Sequence, residues 1–361
     1  NDVIYSYGGD DVIEAGAGND TIYGWSGDKI VYGAAGNDVI FGGAGHSILN
    51  GDAGNDIISG GIGNETIAGG AGNDMLGGGG GDDMISGGTG QDYIIGSYGN
   101  DVLSGDDGND TLLCGGGQDT LSGGAGHDSI AGSYGNDQIS GGAGNDTLVS
   151  GGGNDVVDGG IGQDYIVGSY GNDILSGDDG NDTVLGGGGQ DTLSGGAGHD
   201  SIVGSYGDDQ ISGGAGKATL SSGGGQDGIS GGDGNDYVIG SYGSSMLHGD
   251  GGKDTILGGS GNETIEGGEG NDLLYGGLGS DTFVFGKGGG HDVVGDFQAP
   301  AWGHDVVQLD KSVFADFATL ISSGHVADVV GGVDISYDDG STLTLMGLTR
   351  GSLGSHDFTF V

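Results

Sequence analysis

The 361-residue chain sets 53 Asp and Glu against six Lys and Arg, for a formal charge of −47, and 98 of its residues are Gly. This leaves no basic face for nucleic acid or an anionic membrane, the single Cys excludes an intrachain disulfide, and no apolar run approaches the roughly 20 residues of a membrane-spanning helix. Ordering so much Gly costs about 1 to 2 kcal/mol per residue in backbone entropy, so something must bind the folded form, and a multivalent cation suits the charge.

From Asp11 to Asp281 the chain repeats every nine residues without insertion or deletion, in 31 registers. Two places before the counted position stands Gly in every register, and two places after it Ile, Leu, Val or Phe. The counted position is Asp in 25 registers and Glu in two, Glu65 and Glu263; only Lys29, Ser47, Ala218 and Ser245 lack a carboxylate. In Gly141-Gly142-Ala143-Gly144-Asn145-Asp146-Thr147-Leu148-Val149, six turn-forming residues precede a polar, apolar, polar triplet that reads as a short strand with its apolar side chain inward. The unvarying Gly requires a positive φ or a close backbone approach. Successive strands run in opposite directions around a coil, so 18 residues complete one turn and the carboxylates stack as two ladders about 4.8 Å per step.

Carboxylates about 5 Å apart repel by roughly 3 kcal/mol at an effective dielectric of 20, which would disassemble the stack. A hard divalent cation between turns reverses the sign. Oxygen ligands at irregular turns suit Ca2+ better than octahedral Mg2+, and Cys and His do not recur with zinc-ligand spacing.

The pattern GGxGxDxUx, with U a large apolar residue, resembles the RTX (repeats-in-toxin, haemolysin-type) calcium-binding nonapeptide over about 280 residues. The resemblance implies an all-β fold, a parallel β-roll forming a right-handed solenoid with 18 residues per coil, in which Ca2+ sits between same-side turns, held by the Asp of each and by backbone carbonyls. It also implies a bacterial protein that is secreted, extracellular or on the cell surface.

Splitting the registers by parity gives one ladder of Asp20, Asp38, Asp56, Asp74, Asp92, Asp110, Asp128, Asp146, Asp164, Asp182, Asp200, Ala218, Asp236, Asp254 and Asp272. The other runs Asp11, Lys29, Ser47, Glu65, Asp83, Asp101, Asp119, Asp137, Asp155, Asp173, Asp191, Asp209, Asp227, Ser245, Glu263 and Asp281. All 25 Asp are candidate ligands. Adjacent Asp–Asp pairs number 12 and 8, predicting about 20 Ca2+ ions, whose charge of about +40 nearly neutralises −47. Ions are expected to be missing or poorly held around Lys29, Ser47, Ala218 and Ser245, leaving one nearly continuous row and one intact only in its middle.

Along the chain, Asn1-Asp2 begins in mid-repeat with no signal peptide, which points to another export route or to a longer parent protein. Residues 91–162 recur at 163–234, a block of eight nonapeptides that places Tyr98, Tyr134, Tyr170, Tyr206 and Tyr242 at 36-residue intervals. An exposed tyrosine row would suit a cell-surface glycan or self-association, although duplication of a turn residue accounts for it more simply. Cys114 replaces a turn glycine.

Residues 1–281 are thus read as the roll and 282–361 as a small, mainly-β cap. The cap contains Trp302 and the only proline, Pro300, helical spacing from Ser312 to Ile321, and alternating runs Val333 to Tyr337 and Thr342 to Met346 around Asp338-Asp339-Gly340. DTFVFGKGGGHDVVGDFQ, HDVVQLD and HDFTFV are similar to the region after the repeats in type I secreted RTX proteins, implying type I secretion machinery as a partner and an export signal near Asp357-Phe358-Thr359-Phe360-Val361.

No enzyme is expected. HExxH is absent, the lone GxSxG at Gly228–Gly232 lies inside a repeat, and His46, His127 and His199 stand in the polar column beside the ladder Asp. The expected function is a secreted structural, adhesive or surface and matrix protein. The alternative is the secretion and folding module of a larger exoenzyme or toxin, and a flat ice-binding face is a weaker third idea because Thr111, Thr147, Thr183, Thr219 and Thr255 recur only every 36 residues.

Overall fold

A computed structural model describes residues 1–298 and 304–361; Pro300 and Trp302 lie outside the described residues. The chain comprises two compact units, residues 1–183 and 184–361.

The first unit is a parallel β-solenoid. Strands on each side pair with the strand one coil further on at an offset of 18 residues: Met84–Thr89 with Val102–Asp107 on one side, Tyr93–Tyr98 with Thr111–Gly116 on the other. The offset equals two nonapeptides, so every column of the repeat becomes a column of the stack. Strands alternate inward and outward; in Thr147–Gly152 the inward residues are Leu148 and Ser150. The apolar column Ile22, Ile40, Ile58, Leu76, Ile94, Leu112, Ile130, Leu148 and Ile166 is buried on one side.

From Val39–Ala44 onward the strands of this unit are six residues long, with three-residue turns, the reverse of the proportions read from the repeat. The extra strand residues come from the glycine-rich half. After the apolar residue the next inward position is Gly in most strands, with Cys114 and Ser150 as exceptions, and the following residue pivots at positive φ (Gly142 at 102°, Gly160 at 98°) while still pairing across coils, as Gly142 does with Gly160. The inward Gly has no room for more. A Cβ on Gly42 would lie 2.5 Å from the Gly60 carbonyl oxygen and 3.1 Å from Leu49 Cδ1.

The second unit is also coiled with an 18-residue offset, as Gly228 pairs with Met246, and its strands are broken by turns between Gly228–Ser230 and Glu269–Gly270. The strict register ends at Asp281 inside this unit, yet parallel pairing goes on. Leu273 pairs with Val293 and Thr282 with Val306, offsets of 20 and 24 residues that leave room for two loops. Both sides are then covered: Thr342–Met346 pairs in parallel with His291–Val294, and Phe358–Phe360 with Val306–Leu309.

The expected hairpin is present as the antiparallel pair Gly332–Ser336 and Thr342–Met346. The helix α1, Phe317–Ser323, begins later than the serine start suggested, because Asp316 accepts the Thr319 N–H at 2.8 Å and supplies the N-cap. The Tyr337 ring packs with its centroid 5.3 Å from those of both Phe285 and Phe314, and its hydroxyl donates to the Phe285 carbonyl at 3.1 Å.

Candidate metal centre

The ladder carboxylates point into the roll. In the first unit Asp38, Asp56, Asp74, Asp92, Asp110, Asp128, Asp146 and Asp164 on one ladder, and Asp83, Asp101, Asp119, Asp137 and Asp155 on the other, are each at most 3% exposed. Asp20, Asp173 and Asp182 are buried too, as are Asp191, Asp200, Asp209, Asp227, Asp236, Asp254, Asp272 and Asp281 in the second unit. Asp11 alone keeps a substantially exposed side chain.

The typical ladder Asp is held in a fixed way. Its Oδ1 accepts the backbone N–H of the ladder residue one coil earlier, as Asp92 N–H donates to Asp110 and Asp110 N–H to Asp128, both at 2.7 Å. The same bond links Asp101 to Asp119 at 2.7 Å and, in the second unit, Asp236 to Asp254 at 2.8 Å. The other oxygen, Oδ2, has no hydrogen-bond partner at Asp38, Asp56, Asp74, Asp92, Asp110, Asp128, Asp146 and Asp164, nor at Asp83, Asp101, Asp119, Asp137 and Asp155. In the second unit Asp209, Asp227, Asp236, Asp254, Asp272 and Asp281 share this condition. An isolated buried acceptor costs about 1 to 3 kcal/mol, more when charged, so an oxygen repeated in this state along both ladders suits a ligand of opposite charge.

The invariant Gly supplies the second donor set. A Cβ on Gly117 would lie 1.6 Å from the Gly99 carbonyl oxygen, and one on Gly153 would lie 1.5 Å from that of Gly135. These carbonyls therefore project into the gap between stacked turns. Both reasons for the invariance hold at once, since φ is +158° at Gly117 and +151° at Gly153. Buried carboxylate oxygens without partners, on a stack of turns that offers further backbone carbonyls, are the all-oxygen donor chemistry that Ca2+ takes, so the residues fit the ion.

The electrostatics agree. Burial pushes the Asp110 carboxyl up to about 7, opposed by the Asp92 N–H and reinforced by the Asp128 and Asp92 carboxylates. Asp254 is likewise pushed up to about 7, and Asp74, Asp101, Asp137 and Asp209 to about 6, with burial the largest cause in each. Without a counterion the fold resists ionising these groups.

The irregular registers differ among themselves. Ser47 and Ser245 keep the inter-coil bond through Oγ, accepting the Lys29 and Asp227 N–H at 3.2 and 3.3 Å, but supply no charge. Ala218 offers no side-chain oxygen; its N–H donates to Asp236 Oδ1 at 2.7 Å and its carbonyl accepts the Tyr237 N–H at 3.0 Å. Glu65 and Glu263 are buried with both carboxylate oxygens unpartnered, raised by burial and by Asp83 and Asp281 respectively. Lys29 is buried, and its ammonium donates to the carbonyls of Gly9, Ser26 (2.6 Å) and Gly27 (3.4 Å), with Asp11 Oδ2 3.6 Å away.

Two ladder residues escaped the nine-residue count. Asp292 Oδ1 accepts the Asp272 N–H and Asp305 Oδ1 the Asp281 N–H, each at 3.0 Å, and both side chains are buried. The signal was in the chain, because Gly290-His291-Asp292-Val293-Val294 and Gly303-His304-Asp305-Val306-Val307 keep the G-x-D-x-U core out of step.

Other singled-out residues have structural places. His46 and His127 accept the Asn64 and Asn145 N–H through Nδ1 at 2.8 and 2.7 Å, the role Asn55 plays for Asn73. Cys114 stands not in a turn but at an inward strand position, fully buried, its thiol donating to the Gly132 carbonyl at 2.5 Å and pushed up by burial beside Asp119 and Asp137. Ser230 of the GxSxG match shares a column with His248 and Glu266, the last two 3.3 Å apart, but its hydroxyl donates to Asp250.

The profile of the RTX calcium-binding nonapeptide repeat (4 copies) matches residues 1–28 and, in overlapping or abutting windows, 32–292. No match is found among curated protein sequences. Among solved structures, the chain is similar to a hyperactive, Ca2+-dependent, β-helical antifreeze protein from an Antarctic bacterium, at 21% identity and TM-score 0.42, covering 77% of this chain and 84% of that one. It is also similar to the extracellular lipase LipA from Serratia marcescens, at 18% identity and TM-score 0.19, covering 78% and 40%.

Proposed function

Because the chain belongs to the RTX calcium-binding nonapeptide repeat family, we propose that it is a secreted protein whose roll folds as Ca2+ enters between stacked turns, and that the loaded roll serves outside the cell as a structural, adhesive or surface component. The observation that carries this reading is the row of buried Asp Oδ2 atoms without a hydrogen-bond partner, repeated along both ladders. These oxygens would hold the ions, and bound calcium would supply the charge that the carboxylates lack. Glu65–Asp83, Glu263–Asp281, Asp272–Asp292 and Asp281–Asp305 add four carboxylate pairs to the Asp–Asp pairs along the ladders.

At the roughly 10⁻⁴ to 10⁻³ M affinity usual for extracellular calcium modules, the chain stays unfolded in the cytosol, and export through type I machinery into calcium-rich medium drives folding. Each ordered coil offers the next its N–H and carbonyl edge. The adhesive part of the reading is supported by Tyr98, Tyr134 and Tyr170, which alternate along one strand edge with Gly116 and Gly152 and are nearly 80% exposed. The test is circular dichroism of the chain in EGTA during titration with Ca2+. A cooperative gain of β-structure is expected, and full β-structure in EGTA at neutral pH would overturn the reading.

A further inference from the structure

We propose that the Lys29 ammonium is a tethered cation standing in a calcium position, so that the Asp11–Lys29 step of its ladder is closed by the chain itself and takes no ion. The inference rests on the calcium reading above and adds a specific exception to it. Lys29 occupies a ladder register, and its side chain starts out as a ladder Asp does, against the inward Gly five residues earlier. A Cβ on Gly24 would lie 3.1 Å from Lys29 Cγ, as one on Gly96 would lie 2.3 Å from Asp101 Oδ2.

From there the longer stem carries Nζ to the oxygens between two stacked turns. Gly9 and Gly27 are the invariant glycines of adjacent coils on this ladder, Ser26 precedes Gly27, and Asp11 is the ladder carboxylate of the earlier coil. Three carbonyls and one carboxylate around a positive centre reproduce the kind of donor set inferred for the ion, drawn from both turns as a bridging cation requires. The Lys29 side chain is 0% exposed, and a buried ammonium is tolerated only where its donors are all taken up. An ammonium makes three such bonds, and three carbonyl acceptors are present.

The position of Lys29 along the ladder supports the reading. The next register is Ser47, whose hydroxyl receives the Lys29 N–H but brings no charge. With Asp11 as the sole carboxylate of the three, a divalent ion there would find half the charge it meets between two Asp. One fixed positive charge matches one carboxylate. The substitution thus converts a step that would need an ion into one that assembles without it.

The test counts ions by native mass spectrometry on the full chain at saturating Ca2+, alongside hydrogen exchange of residues 9–29. Lys29→Asp restores an Asp–Asp pair and is expected to bind one Ca2+ more than the parent. Lys29→Met keeps the stem and removes the charge; it is expected to bind no additional ion and to lose exchange protection at least about tenfold in residues 9–29, with the coils beyond unchanged. An unchanged ion count in Lys29→Asp, or full protection in Lys29→Met, overturns the proposal while leaving calcium binding elsewhere intact. A parent chain that binds no calcium at all would instead remove the reading on which it rests.

Discussion

Asp110→Asn isolates what one ladder carboxylate does. Asp110 lies between Asp92 and Asp128, bonded to both neighbours through 2.7 Å inter-coil hydrogen bonds, and its Oδ2 is buried and unpartnered. The amide keeps the shape and the Oδ1 acceptor, so the coil geometry survives, but the charge is lost from two inter-turn steps at once. A ligand present at ten to a hundred times its Kd contributes about 1.4 to 2.7 kcal/mol per site, so weakening two sites to the point of loss costs about 3 to 5 kcal/mol in calcium. In a solenoid that cost stays local to the coils around residues 92–128. In EGTA the sign reverses. Burial and the flanking carboxylates oppose ionisation of Asp110, so the neutral amide relieves the metal-free chain. The assay is a calcium-binding count by equilibrium dialysis together with segment-resolved hydrogen exchange, and Asp107→Asn, an exposed carboxylate at the end of the preceding strand, is the control. A count and a protection pattern matching those of the control variant would refute the assignment of the ladder as the ion-binding row.

The pH dependence of the metal-free chain follows from the same groups. Carboxyls raised to about 6 at Asp74, Asp101, Asp137 and Asp209 and about 7 at Asp110 and Asp254 favour the fold fully below the unfolded value near 4, and that contribution is lost as pH rises through 6 to 7. In EGTA, β-structure followed by circular dichroism should therefore grow as pH falls from about 8 to 4, whereas with saturating Ca2+ acid should displace the ion and lower the melting temperature towards that of the metal-free chain; a flat metal-free profile would contradict this. Adjacent glycines should behave oppositely: Gly117→Ala forces a Cβ to within 1.6 Å of the Gly99 carbonyl at φ +158° and should cost more than about 3 kcal/mol, while Gly116→Ala meets nothing within 4 Å and should fall within about 1 kcal/mol of the parent in calcium-dependent thermal melts. The Cys114 thiol, buried and pushed up by burial, should resist a disulfide reagent in Ca2+ and react in EGTA, and equal rates in the two conditions would show that its coil does not order with calcium.

The columns of the repeat were legible because the offset between coils is twice the repeat length, so sequence position alone says which side chains stack. The inward apolar column and the Asp ladders follow from that arithmetic, as does the double constraint on the glycine two places before each Asp. What the repeat conceals is how far each strand extends. Glycine carries no side-chain pattern, so the alternation that marks Thr147–Gly152 as a strand fades after Val149 although the backbone pairing continues. Cys114 was misplaced for the same reason: its column is otherwise almost all Gly, and a column of Gly looks alike whether it turns or packs inward.

Asp292 and Asp305 show the complementary blindness. A count in nines stops at the first insertion, but the physical requirement is only that a G-x-D-x-U segment return to the stack. The 20- and 24-residue offsets meet it with two and six residues more than the regular 18. Coordination chemistry constrains the turn and the start of the strand, whereas the connection between them is free to vary where no next coil has to lie against it. Lys29 marks the remaining limit. Read as a letter it is a defect in a carboxylate column, and only the path of its stem to three carbonyl oxygens distinguishes a broken metal site from one whose cation is covalently attached.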